Sequence, residues 1–153
     1  MELIKKRRMK KLILILTGAL MCVFFVSCKA ATEEAANNIS LTIENNVEEA
    51  DFWILPQTVK NVKTTVWGTP TVSKMKSGER KTVSVPDGEK YIVRVIDSQS
   101  AYYAANEVVL ANNNTLRFQT SGSKYDAALA VIDENGNTVS TKENVFEGAL
   151  GAN

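Results

Sequence analysis

From residue 39 onward, the chain is a series of short strand-like runs separated by turn-forming residues. Residues 39–44 (ISLTIE) alternate apolar and polar side chains without a break, which indicates a strand with one buried face. The turn chemistry is clearest at Pro86-Asp87-Gly88 and at the hairpin dipeptide Asn135-Gly136. Further strand-like runs cover residues 52–55, 80–85, 91–97, 102–110, 116–118, 127–133 and 138–140. This spacing predicts an all-β fold, a small antiparallel β-sandwich of Ig-like or Greek-key type with seven to eight strands.

Two stretches interrupt the pattern. Residues 57–76, with Trp67-Gly68 near the middle, are irregular and are predicted to form a long loop containing a piece of edge strand. Residues 142–153 carry few apolar side chains among small ones and are expected to form a C-terminal tail. The sandwich domain is therefore predicted to cover residues 39–141.

The N-terminal segment has the layout of a secretion signal. Six Lys or Arg side chains precede residue 12, and residues 12–26 form an uncharged, mostly apolar run. This run is shorter than the roughly 20 apolar residues that a membrane-spanning helix needs. It therefore predicts a cleaved signal helix rather than a permanent span.

The end of this segment resembles the signals read by bacterial lipoprotein signal peptidase. In that family a small residue precedes the cysteine that is acylated and becomes the new N-terminus, and Ser27-Cys28 matches those two positions. The resemblance implies a signal peptide over residues 1–27, cleavage after Ser27, lipid on Cys28, and a flexible tether over residues 28–38. Lys29 is not the aspartate that retains such proteins at the inner membrane, which implies an outer-membrane location if the cell has two membranes.

Composition narrows the chemistry of the mature chain. Removing residues 1–27 leaves 12 basic and 16 acidic side chains, a net charge of −4, which argues against nucleic acid as a partner. The sequence contains no histidine, and Cys22 falls within the predicted signal. These counts exclude histidine-dependent catalysis, an internal disulfide in the mature domain and the usual zinc or copper sites.

The central region resembles a small secreted β-domain that recurs in bacterial envelope proteins. The shared features are Asn45-Asn46, Phe52-Trp53-Ile54, Trp67-Gly68, Gly78, Val85-Pro86, Gly88, the strand over residues 91–97 and Tyr102. Members usually place Asp-Gly after that strand, where this chain has Ser98-Gln99-Ser100. The resemblance implies a β-sandwich and transfers no activity.

Several aromatic and acidic residues are candidates for a site. Trp67, in the irregular loop, is the candidate ligand contact, whereas Trp53 and Tyr91 lie in apolar strands and are expected in the core. Asp97, Asp126 and Asp133 adjoin strand ends and are expected to cap turns. Residues 133–137 superficially resemble a calcium loop, but the required glycine, glutamate and flanking helices are missing, so a hairpin is the better interpretation.

These observations predict a non-enzymatic, lipid-anchored protein of the bacterial cell envelope, with no metal and no cofactor. Its sandwich would serve a structural or protein-interaction role, with β-augmentation at a sheet edge as one mode. The alternative is a glycan- or cell-wall-binding module that uses Trp67. A small hydrolase built on carboxylates is the least favoured hypothesis.

Overall fold

The computed structural model describes residues 37–58, 60–61 and 66–149, which all belong to one compact unit. Ten strands and a short 3₁₀ helix at Lys124–Asp126 lie within these residues. The strands are β1 Asn38–Asn45, β2 Ala50–Pro56, β3 Val72–Met75, β4 Glu79–Pro86, β5 Tyr91–Asp97, β6 Ala101–Val108, β7 Thr115–Gln119, β8 Ala128–Ile132, β9 Thr138–Lys142 and β10 Phe146–Ala149.

The strands form two five-stranded sheets, so the predicted all-β sandwich is confirmed, with ten strands rather than the predicted seven to eight. The order in sheet A is β4-β1-β7-β8-β9, and the order in sheet B is β10-β6-β5-β2-β3. All neighbours are antiparallel except β1 and β7, which pair in parallel with Ile43 opposite Leu116. In sheet A, β7-β8 and β8-β9 join strands that follow each other in sequence. The pairs β4-β1 and β1-β7 join strands that are distant in sequence.

The core lies between the sheets and follows from the alternation of side chains along each strand. In β1 the apolar positions 39, 41 and 43 are buried, while the polar residues between them are part-exposed. Phe52 of sheet B meets Phe118 of sheet A edge to face, with ring centroids 6.0 Å apart. Tyr103 continues this contact, 4.9 Å from Phe118 and 5.6 Å from Phe146. A line of aromatic rings thus crosses the core from β2 to the last strand.

The sandwich extends beyond residue 141, which differs from the predicted tail. Strand β10 pairs antiparallel with β6, opposite Ala101, Tyr102 and Tyr103. The preceding residue, Val145, links the two sheets, because its N–H donates to Ala127 O and its carbonyl accepts from Ala104 N. The segment belongs to the fold since Val145 and Phe146 pack against the core, a contribution that the small neighbouring residues conceal in the sequence.

Of the prediction for residues 57–76, the piece of edge strand is confirmed, because β3 lies at the edge of sheet B. No helix in the described part of the chain is long and apolar enough to cross a bilayer. The predicted signal over residues 1–27, the cleavage position Ser27 and the lipidation position Cys28 lie outside the described residues.

Candidate functional site

An aromatic cluster covers the outer face of sheet B, the face that points away from the core. Trp53 and Arg94 are directly paired across β2 and β5, and Tyr102 lies on the same face in β6. Trp67, in the loop between β2 and β3, packs against these three side chains. We call Trp53, Trp67, Tyr102 and Arg94 the Trp67 cluster.

The geometry of the cluster is tight. The Trp67 ring stacks on Tyr102 with centroids 5.4 Å apart and planes 16° apart, and it meets Trp53 edge to face at 5.7 Å. The indole N–H of Trp53 donates to Gly68 O at 3.0 Å, which ties the loop to the sheet. Gly68 has φ +71°, a conformation that glycine adopts without strain. Trp67 is therefore held against the sheet as a half-buried cover.

The position of Trp53 corrects the prediction that it lies in the core. Trp53 is only 8 % exposed, but its neighbours Phe52 and Ile54 occupy the inward positions of β2. Strict alternation along a strand then sends Trp53 to the opposite face. Its burial comes from Trp67 and the loop rather than from sheet A. Tyr91, by contrast, is fully buried in the core as expected.

Arg94 is the unusual member of the cluster. Its side chain is only 5 % exposed, and its guanidinium lies 5.9 Å from the centre of the Trp67 ring. Nη1 donates to the carbonyls of Val93 (3.1 Å) and Ala105 (3.3 Å), and Nη2 donates to Asn106 Oδ1 at 2.8 Å. The buried Nε has no hydrogen-bond partner, and within the described residues no carboxylate forms an ion pair with Arg94.

This environment has an electrostatic consequence. Burial lowers the pKa of Arg94, and Glu147 and Tyr102 oppose that effect only through space. An arginine side chain stays protonated in proteins, so the cluster holds a buried positive charge without a bonded counter-ion. Buried charges are ordinarily paired, which makes this position a functional-site candidate.

Asp97 has a structural role, as its position at a strand end predicts. Its Oδ1 accepts from the backbone N–H groups of Gln99 (2.9 Å) and Ala101 (2.8 Å), and its Oδ2 accepts from the Tyr103 hydroxyl at 2.9 Å. These bonds fix the tight β5–β6 turn, in which Ser100 has φ +63°. The turn thus forms with Ser98-Gln99-Ser100 in place of the Asp-Gly pair that is usual in the family this region resembles.

Asp133 also caps a turn. Its Oδ1 accepts from the N–H groups of Asn135 (2.9 Å) and Asn137 (2.8 Å), and Gly136 has φ +85°. Strands β8 and β9 pair antiparallel on either side, so the predicted Asn-Gly hairpin is confirmed. In the described part of the chain, no group of three or more Cys, Asp or Glu residues is arranged to hold a metal ion.

A cavity of about 410 Å³ lies where four loops meet at one end of the sandwich. Asp97 and Tyr103 line it but are bonded to each other, and Glu48 at its rim accepts from Gln99 Nε2 at 2.9 Å. Asp126 lies apart, beside a second cavity of about 390 Å³ near Glu143. The candidate residues thus lie in different regions of the domain. Within the described residues, Trp67 is the candidate that contacts other aromatic rings and a buried arginine.

Sequence reasoning singled out Trp67 but missed Arg94. The sequence does contain a sign of this site. Arg94 is a charged residue between apolar ones in β5, and it lies on the same face of the strand as Ile92 and Ile96. Comparisons with protein-family models, with curated proteins and with solved structures find no match. The resemblance to secreted β-domains therefore stays a prediction.

Proposed function

We propose that this protein is a lipid-anchored, non-catalytic component of the bacterial cell envelope that binds an extended segment of another protein along strand β4. The observation that carries the proposal is the character of this sheet edge. β4 is the terminal strand of sheet A, and its eight residues pair with β1 without a register shift.

The backbone of β4 presents a regular row of outward groups. Asp87 N donates to Asn37 O just beyond the paired residues, which sets the phase of the ladder. Hydrogen-bonded and non-bonded pairs alternate in antiparallel sheets, so Val85, Val83 and Lys81 face β1. The N–H and C=O groups of alternate residues Arg80, Thr82 and Ser84 therefore point away from β1, where a partner strand would bind.

The other three edges are less suited to pairing. β3 has four residues, Lys74 in it has φ +50°, and the Lys74 N–H is occupied by Asp51 Oδ1 at 2.7 Å. β10 has four residues with a register shift, and β9 also has a shift in its pairing with β8. Short, irregular strands of this kind block edge-to-edge association.

The side chains of β4 define the partner. Its core-facing row ends in buried Val85 and half-buried Val83, with Lys81 nearer the rim and paired to Glu79 at 3.2 Å. A strand bound beside it would place apolar residues next to Val83 and Val85 and an acidic residue next to Lys81. We therefore expect an extended segment with alternating apolar residues and an acidic residue in register with Lys81.

The non-catalytic part of the proposal rests on how the acidic side chains are used. Asp97 and Asp133 cap turns, and Glu44 is bonded to Arg117 (3.0 Å) and Arg80 (3.3 Å). Carboxylates engaged in this way support the fold rather than acid–base chemistry. The glycan-binding alternative has less support, because a sugar platform needs a presented ring face and Trp67 packs against Tyr102 and Trp53.

The anchor is tested separately from the domain. We expect metabolic labelling with palmitate in the wild-type protein and no labelling in Cys28→Ala, because Cys28 is the predicted site of acylation. Several acyl chains on one cysteine would hold the domain at a membrane stably. Equal labelling of both proteins would contradict the lipid anchor. Labelled protein in the outer-membrane fraction would support the expected location.

The β4 edge is tested by photocrosslinking in intact cells. A crosslinking residue at Ser84 should give one discrete adduct, and the same residue at exposed Val139 of β9 should not. Thr82→Pro should abolish the adduct, because it removes an outward N–H without removing a bond to β1. Thr82→Val keeps that N–H and should retain the adduct. An adduct that survives Thr82→Pro would refute the proposal.

A further inference from the structure

Arg94 has a hydrogen-bonding edge that the described residues use only in part. A guanidinium carries five N–H groups, and its Nε–H lies side by side with one Nη2–H to form a fork that matches the two oxygens of a carboxylate. The Arg94 Nη1 bonds two carbonyls, and Nη2 bonds Asn106 Oδ1 as its one acceptor. Within the described residues the buried Nε–H has no acceptor and Nη2 has a single one, so a carboxylate can bind at Nε and compete with Asn106 at Nη2.

The surroundings of the fork suit an organic ligand. Trp67 lies over the guanidinium, and Tyr102 and Trp53 contact the Trp67 ring on the same face of the sheet. Aromatic side chains offer large apolar area to a ring or hydrocarbon body. A single buried positive charge also favours a monoanion over a phosphate, which would bring a second negative charge. The combination selects a carboxylate attached to an organic body.

We propose that the Trp67 cluster is a binding site for an organic carboxylate, whose oxygens accept from Nε and Nη2 of Arg94. Binding moves Trp67 away from the guanidinium, so that a ring face covered in the ligand-free arrangement becomes available to the ligand body. The cation–π contact is replaced by charge-assisted hydrogen bonds. The site lies on sheet B, whereas the proposed protein-binding edge belongs to sheet A, so the two proposals stand independently.

The chain offers a direct spectroscopic readout. It contains two tryptophans, Trp53 and Trp67, and both belong to the cluster, so its tryptophan fluorescence reports on this site alone. The measurement is a titration of the full-length, detergent-solubilised protein with paired probes. Acetyl-Ala-Ala is compared with its C-terminal amide, and glucuronic acid is compared with glucose.

We expect a saturable fluorescence change with at least one acid and none with its neutral counterpart. A response to the peptide acid alone identifies a chain terminus as the ligand class, and a response to glucuronic acid alone identifies an acidic sugar. Equal responses to acid and neutral probes, or no response to either acid, would overturn the proposal.

Variants separate specific binding from a general charge effect. Arg94→Lys keeps the charge but removes the fork, and it should weaken the acid response roughly 10- to 100-fold. Arg117→Lys, on the outer face of sheet A, is the matched control and should leave the response unchanged. Wild-type affinity in a folded Arg94→Lys protein would refute the assignment.

Asn106→Asp covers the case in which Arg94→Lys does not fold. Asn106 already accepts from Nη2 at 2.8 Å, so a carboxylate at this position becomes an internal competitor for Arg94. The variant should fold and lose the response to acid probes. An unchanged response in Asn106→Asp would show that the ligand binds elsewhere.

Discussion

Removing one hydroxyl group from the core provides a quantitative test of the Asp97 turn. Tyr103→Phe deletes the 2.9 Å hydrogen bond to Asp97 Oδ2 and keeps the ring that contacts Phe118 and Phe146. Because Asp97 is 8 % exposed, water does not readily replace the lost donor. A hydrogen bond to a charged group contributes about 1.5–3 kcal/mol, so we expect the free energy of unfolding to fall by about 2 kcal/mol.

Urea denaturation measures this change. With an m-value of about 2 kcal/mol/M, the midpoint should move down by about 1 M while the slope stays constant. Tyr102→Phe is the matched control, because Tyr102 is the adjacent tyrosine on the opposite face and its hydroxyl makes no hydrogen bond within the described residues. A loss below about 0.5 kcal/mol in Tyr103→Phe, or equal losses in both variants, would refute the assigned role of this bond.

Burial, and then the hydrogen bond to Asp97, raise the pKa of Tyr103 above its usual value of 10, so the stabilisation is complete below about pH 10 and is lost as pH rises through the folded-state pKa. Stability should therefore fall above about pH 10 and fall less steeply in Tyr103→Phe; equal slopes in alkaline urea titrations would contradict this. For Glu44, burial acts to raise the pKa, but hydrogen bonds from Asn46 and Arg117 and nearby arginine charges lower it overall. Its contribution is present above about pH 4.5 and lost as pH falls, so Glu44→Gln should cost about 1 kcal/mol at neutral pH, less at high salt, and almost nothing in acid. Gly136→Ala meets no atom within 4 Å but strains a φ of +85°, so thermal unfolding should show a loss of about 1 kcal/mol, and an unchanged melting temperature would argue against that turn conformation.

The strands were predictable from sequence because their signals are local. Residues 39–44 alternate without a break and lie within β1, and Asn135-Gly136 lies between β8 and β9. The parallel pairing of β1 with β7 was not predictable, since it joins segments more than 70 residues apart and no short pattern encodes it. β10 was missed because, among the described residues of that segment, Val145 and Phe146 are the apolar side chains that pack on the core.

The candidate site was only partly predictable for the same reason. The apolar run at residues 52–55 does not say which face is covered by the other sheet and which by a loop. Trp53 and Arg94 are buried because Trp67 packs on them, and this is a tertiary contact that the local sequence does not encode. The arginine within an apolar strand was the one local sign that the outer face of sheet B is covered.

The placement of β1 affects the order in which the domain can assemble. β1 is the first strand made, yet it lies inside sheet A between β4 and β7, the latter ending at Gln119. A chain that emerges from its N-terminus first holds β1 without a neighbour until β4 is made, and with one neighbour until β7 is made. Closing such long loops before their contacts form slows folding. The domain should therefore fold more slowly than a sandwich of sequential hairpins would.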